Sequence, residues 1–115
     1  MQRTIRLAFL VATLLAFVMA VLPHPPQLPG EPTDKFQHIL AFATLTGLAV
    51  AGWPAASRLR LLLLLSGFGV LIERVQAIPA LHRDSDWRDW IADTAAILVT
   101  LALAAAIRRL RAARG

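Results

Sequence analysis

A chain that returns repeatedly to long, uncharged apolar runs has few ways to fold in water. Leu7–Leu22 is sixteen residues without a charge, about 24 Å as a helix at about 1.5 Å per residue. That is short for a membrane span unless its flanks extend it. Phe36–Trp53 is an eighteen-residue stretch whose only polar interruptions are Gln37, His38 and two threonines. Leu61–Ile72 and the alanine-rich Trp90–Ile107 follow. With 115 residues, 57% of them hydrophobic, the chain supports one domain and is far more apolar than an average soluble protein. The pattern predicts an all-α membrane protein: a single domain over 1–115, with four transmembrane helices at about 7–22, 36–53, 60–77 and 88–107.

The segments between the runs are equally informative. Residues 23–33 read PHPPQLPGEPT, with five prolines and a glycine, so they can be neither helix nor central strand and form a semi-extended loop. Thr33 or Asp34 can cap the next helix, and Asp34 with Gln37 has capping-box spacing. Pro54 closes the second run and Pro79 the third. Cytoplasmic loops are enriched in Lys and Arg. Arg3, Arg6, Arg58, Arg60, Arg108, Arg109, Arg111 and Arg114 fall on one side of a four-span arrangement, whereas Lys35, Arg74, Arg83 and Arg88 fall on the other with all seven acidic residues. Both termini are therefore expected in the cytoplasm, an N-in/C-in bundle. The competing reading of the first run is a cleaved signal peptide, because Val18-Met19-Ala20 resembles a cleavage site after a basic start. Cleavage would leave three spans.

The net charge of +5 raises nucleic acid as a partner, but eight aromatics and no basic stripe argue against it. With no cysteine there is no disulfide, thiolate site or cysteine nucleophile.

Glu73–Asp93 holds five of the seven acidic residues between two apolar runs, and ionisable groups beside hydrocarbon are rare unless they pair or act. Counting along the helices puts Glu73 about 18 Å from Leu61, His38 about 22 Å from Trp53 and Asp93 about 21 Å from Ile107, one common level in the outer third of a core about 30 Å thick. Residues three and four apart share a face. Ser66, Gly69, Glu73 and Gln76 thus form one stripe, Asp86, Asp89, Asp93, Ala96 and Thr100 another, and Asp34, Lys35 and His38 share the first turn of the second helix. The expected polar cluster is Asp34, Lys35, His38, Glu73, Gln76, Arg83, Asp89 and Asp93. Gly47, Gly52, Gly67, Gly69, Ala95 and Ala96 suit close helix packing.

Asp34-Lys35-Phe36-Gln37-His38, then Gly69-Val70-Leu71-Ile72-Glu73-Arg74-Val75-Gln76, then Arg83 with Asp89 and Asp93 resemble the signature of the VanZ-like family, small bacterial membrane proteins with the pattern D-K-x-x-H, G-x-x-I-E-x-x-Q and R followed by D-x-x-x-N or D-x-x-x-D. The resemblance runs from Asp34 to about Ala96. Asp93 stands where many members have Asn, which adds a potential charge, and Ala96 where Gly is common. The family is named for low-level teicoplanin resistance and its general activity is unsettled, so antibiotic resistance attaches to this chain by resemblance only.

For Asp34 and Gln37 helix capping competes with any site role, and for Asp86 and Asp89 the preference of acidic residues for a helix N-terminus does. His38, Glu73 and Asp93 lie too deep in their helices to cap, and a structural ion-pair network, Glu73 with Lys35 or Arg83, is their plain alternative. The sharper alternative is an outward-facing site for a polar head group, in which Lys35, Arg83 and Arg88 engage phosphate and Arg83 grips it with both arms of its guanidinium. A lipid-linked envelope precursor is the candidate ligand. An intramembrane acid/base enzyme using His38, Glu73, Asp89 and Asp93 stays open, with no catalytic residue assigned. So does a structural role as a homo-oligomer or as the partner of another envelope protein. A metal site from His38, Glu73 and a carboxylate has no diagnostic spacing, and neither metal nor cofactor is expected.

Overall fold

Nearly every residue that the computed structural model describes (1–22, 34–81 and 86–114) is helical, and no strand occurs among them. Helix α1 runs Gln2–Val21, α2 Asp34–Gly52, α3 Arg58–Gln76 and α4 Trp87–Arg114, with one 3-10 turn at Pro79–Leu81. Helices α1 and α4 are long and apolar enough to cross a membrane by length and composition; α2 and α3 have nineteen residues each.

Local chemistry sets the ends. Gly52 is the last residue of α2 and Pro54 follows it; proline bars helical geometry in the residue before it. Ser57 opens α3, its hydroxyl accepting from the Arg60 N–H at 3.1 Å, a conventional N-cap. The Ala77 N–H still reaches the Glu73 carbonyl, after which Pro79 stops propagation. Asp86 caps α4 by accepting the Arg88 N–H at 2.9 Å. The largest extensions beyond the apolar runs are at two ends: α1 starts at Gln2, ahead of Leu7, and α4 continues to Arg114, beyond Ile107. Hydrophobicity marks where a helix meets its neighbours, whereas Arg and Ala continue a helix on propensity alone. The capping box at Asp34, a matter of its side chain, lies outside the described residues, as do the proline loop and residues 82–85.

The helices alternate up and down. Arg6, in the first turns of α1, donates from Nε to the Gly52 carbonyl at 2.6 Å, and its guanidinium lies 5.2 Å from the Trp53 ring centroid. Arg108 of α4 donates to the Pro54 carbonyl at 3.1 Å. Both chain termini therefore sit at the same end of the bundle. At the other end Gln76 reaches from α3 to Ala20 of α1. The most extensive pairing is α2 with α4, with α1 laid on α2 and α3 on α4. Phe42, Leu45, Ile97, Leu65 and Leu101 form the core, and Phe42 and Phe17 both lean on Phe68, at 5.9 and 6.4 Å between ring centres.

Polarity across the bundle runs opposite to that of a soluble domain. Thr46, Glu73, Gln76 and Asp93 are buried, whereas Leu10, Leu14, Leu40, Leu63, Leu64 and Leu103 are more than half exposed. Apolar side chains cover the outer faces of all four helices; a water-soluble monomer rarely carries so large an apolar surface. The small residues divide in two. A Cβ at Gly52 would meet the Arg6 side chain at 3.2 Å and one at Gly69 would meet Trp90 at 3.3 Å, whereas Gly47 and Gly67 face open space. Ala95 is also exposed, so within one chain close approach is the role of Gly52 and Gly69 alone among these glycines.

Candidate functional site

The up-down order brings the first turns of α2, the last turns of α3 and the first turns of α4 to one end. Helical spacing then decides which side chains converge. On α3, Ser66, Gly69, Glu73 and Gln76 follow one another at intervals of three or four, and Gly69, Glu73 and Gln76 are buried on the inner face with Ser66 half-buried beside them. On α4 the same rule turns Asp93 inward, where it is 0% exposed, and leaves Asp89 half-buried at the rim. On α2, His38 sits one turn in, its side chain 13% exposed.

These three faces meet around Asp93. The His38 Nδ1 lies 3.6 Å from Asp93 Oδ1, within ion-pair range and just beyond a good hydrogen bond. Neither oxygen of Asp93 has a hydrogen-bond partner among the described residues, and neither does His38 Nδ1. Glu73 is 8% exposed, and its Oε2 accepts the backbone N–H of Asp86 at 3.0 Å, so one carboxylate ties the end of α3 to the start of α4. Donor atoms of His38, Glu73 and Asp93, one from each, all lie within 4.8 Å of one another. Two carboxylates and an imidazole at that spacing can share a proton or take a divalent cation.

The surroundings hold this corner in place. Gly69 makes room for it, since a Cβ there would stand 3.6 Å from Asp93 Oδ2 and from Phe42 as well as against Trp90. Trp90 donates its indole N–H to Ser66, at 3.2 Å to the carbonyl and 3.1 Å to the hydroxyl, and Ser66 and Thr94 join hydroxyls at 3.0 Å. This polar lattice joins α3 to α4 beside Asp93, with Trp90 and Thr94 flanking it on α4 and Ser66 two turns before Glu73 on α3. Trp90 and Thr94 are members of the site's support that sequence reasoning missed; an indole and a hydroxyl four residues apart on one face of α4 were the available signal.

The expected cluster is thus brought together in part. His38, Glu73 and Asp93 converge, and Asp89 is within electrostatic reach of His38, Asp86, Asp93 and Lys35. Lys35 is exposed on the first turn of α2. Gln76 is buried, but its amide is turned to α1, donating to the Ala20 carbonyl at 3.1 Å. Arg88 is exposed and paired with Asp86 at 3.5 Å, a contact that contributes little in solvent. Arg83 and the side chain of Asp34 lie outside the described residues.

Beside the corner, α1 and α2 leave between them an apolar groove of about 410 Å³, lined by Ala12, Leu15 and Met19 of α1 and by Ala41, Leu45 and His38 of α2. His38 belongs to both features, forming the polar end of the groove and one wall of the acidic corner. Compared with known proteins, the chain matches no family model, no curated protein and no solved structure.

Proposed function

We propose that this chain is a four-span protein of the VanZ-like type in a bacterial inner membrane, with both termini cytoplasmic, and that it binds a lipid-linked component of the cell envelope. The observation that carries this reading is the joining of the α1–α2 groove to the polar corner at His38. A lipid has that same division. Its hydrocarbon lies along Ala12, Leu15, Ala41 and Leu45, and its head group reaches His38, with Lys35 exposed at the mouth to meet a phosphate. Four spans are supported by the apolar outer faces of all four helices, and the orientation by the arginines at the end where the termini lie.

The absence of cysteine in the chain makes topology simple to measure. Single cysteines at Ala55 and Ala113 are expected to resist a membrane-impermeant maleimide in intact cells, whereas cysteines at Gln27 and Ala80 react. Labelling of Ala113 from outside overturns the orientation.

Filling the groove tests the ligand. Ala41→Trp, purified in mild detergent, is expected to retain its helical circular dichroism and elution volume while its co-purified lipid, read by native mass spectrometry, falls about tenfold, a loss of roughly 1.4 kcal/mol in binding. Equal lipid in the two proteins removes the groove from the function. Acid/base chemistry on the bound lipid is a second reading, favoured by the imidazole of His38 set against a buried carboxylate. It requires the lipid to be turned over, and turnover lost in Glu73→Gln with lipid binding intact distinguishes it.

A further inference from the structure

We infer that His38, Glu73 and Asp93 form a binding site for one divalent transition-metal ion, with Zn²⁺, Mn²⁺ and Fe²⁺ as the class it takes. This site stands whether or not a lipid occupies the groove.

Geometry comes first. The three side chains arrive from three different helices, and one donor atom of each lies within 4.8 Å of the other two. Metal–donor bonds of about 2.0–2.2 Å place neighbouring donors of a tetrahedral site about 3.3–3.6 Å apart. The 3.6 Å between His38 Nδ1 and Asp93 Oδ1 already has that value, and side-chain rotation of Glu73 closes the remaining separations. Its Oε2 is steadied by the Asp86 N–H, the kind of second contact that fixes a ligating carboxylate.

The second observation is independent of spacing. Asp93 is 0% exposed, and both its oxygens are without a hydrogen-bond partner among the described residues, as is the His38 nitrogen facing it. A fully buried carboxylate with four lone-pair sites and no donor is costly. A cation between Asp93, Glu73 and His38 satisfies it. Asp93 and the imidazole beside it sit where the surrounding low dielectric penalises uncompensated charge, and a divalent ion relieves that cost.

Donor type then selects the metal. An imidazole nitrogen with two carboxylates suits borderline ions, whereas Mg²⁺ and Ca²⁺ favour all-oxygen shells. Three protein donors leave a tetrahedral or larger shell open at one position, the arrangement of a site that admits an exogenous ligand rather than of a closed structural one.

The test uses tag-free full-length protein in detergent, stripped with a chelator and titrated with Co²⁺ and Zn²⁺. Wild type is expected to take up one equivalent, with Co²⁺ giving the intense visible bands of a four- or five-coordinate nitrogen–oxygen site. His38→Gln, Glu73→Gln and Asp93→Asn are each expected to weaken Zn²⁺ binding by about 100-fold or more, beyond what loss of a supporting contact costs a metal site. The double variant His24→Ala, His82→Ala is expected to bind as wild type does. A folded wild-type protein that takes up no stoichiometric metal overturns the site, as does Zn²⁺ affinity unchanged in Asp93→Asn or lost with His24 and His82. Should the single variants misfold, the wild-type Co²⁺ spectrum decides: bands of the six-coordinate aqua ion alone overturn it. Lipid content measured on the same samples keeps the two proposals apart, since metal can bind with the groove filled by Ala41→Trp.

Discussion

Asp93→Asn is expected to raise the stability of the metal-free protein while weakening its metal binding. In most proteins, changing a residue with no exposed surface lowers stability. Asp93 is different because its carboxylate is buried at 0% exposure with neither oxygen hydrogen-bonded among the described residues. Asparagine keeps the shape, removes the charge and supplies two N–H donors that can face the imidazole and Glu73. The expected gain is about 1–3 kcal/mol, the usual cost of a buried polar group without a partner. The opposing loss is that of the 3.6 Å contact with His38, which lies beyond good hydrogen-bond range. With Zn²⁺ at 100 times the wild-type dissociation constant, a bound ion stabilises wild type by about 2.7 kcal/mol and a variant weakened about 100-fold by only about 0.4 kcal/mol, so the advantage of the variant shrinks by about 2.3 kcal/mol. Thermal unfolding in detergent, with and without Zn²⁺, reads both effects. If Asp93→Asn instead unfolds earlier in the metal-free state, the corner is a scaffold in which Asp93 holds α2 against α4, and a site role for it falls.

Gly69→Leu is expected to separate α3 from α4 and abolish membrane accumulation or leave a markedly destabilised protein. Already a single Cβ at this position would lie 3.3 Å from Trp90 and 3.6 Å from both Asp93 Oδ2 and Phe42. Alanine asks Trp90 to yield by a few tenths of an ångström, and the cost of Gly69→Ala is expected to stay below about 1 kcal/mol. Leucine has no such room. It must displace the indole from its two bonds to Ser66, and overpacking of this kind costs about 1–3 kcal/mol before those hydrogen bonds are counted. In the four-span arrangement proposed above this matters more than its size suggests, because helices in lipid associate through packing and interhelical hydrogen bonds rather than through exclusion of water. The matching change at Gly67, which faces open space, is expected to leave unfolding unchanged. Equal stability of Gly69→Leu and Gly67→Leu would show that α3 and α4 do not meet along this seam.

Whether the chain is helical, and roughly where, was legible in its apolar runs, because a run of that length can hide its backbone polar groups from lipid only by bonding them internally. Which face of α3 carries the polar residues was legible too: Ser66, Gly69, Glu73 and Gln76 repeat at helical spacing, and three of them are buried together. The same spacing fails for contacts between helices. Periodicity placed Gln76 with the acidic corner, but its amide crosses to Ala20 of α1, since a stripe fixes a direction from the helix axis and not the neighbour that lies there. Gly47, Gly52, Gly67 and Gly69 are indistinguishable as letters, yet two are pressed against other helices and two are open. Helices α1 and α4 run past their apolar stretches, to Gln2 and Arg114, because hydropathy stops where arginine begins and the backbone does not.

By itself, then, the sequence determined an all-helical chain, its strong apolar character and the faces on which charge is set, all of which depend on neighbours within a turn or two. Only the tertiary structure decided that His38, Glu73 and Asp93 share one small volume, that Trp90 and Thr94 brace it through Ser66, and that an apolar groove opens onto it at His38. Those relations join residues far apart in the chain. They are fixed by how four helices rotate and slide against one another, which the side chains of every helix settle jointly and no single stretch encodes.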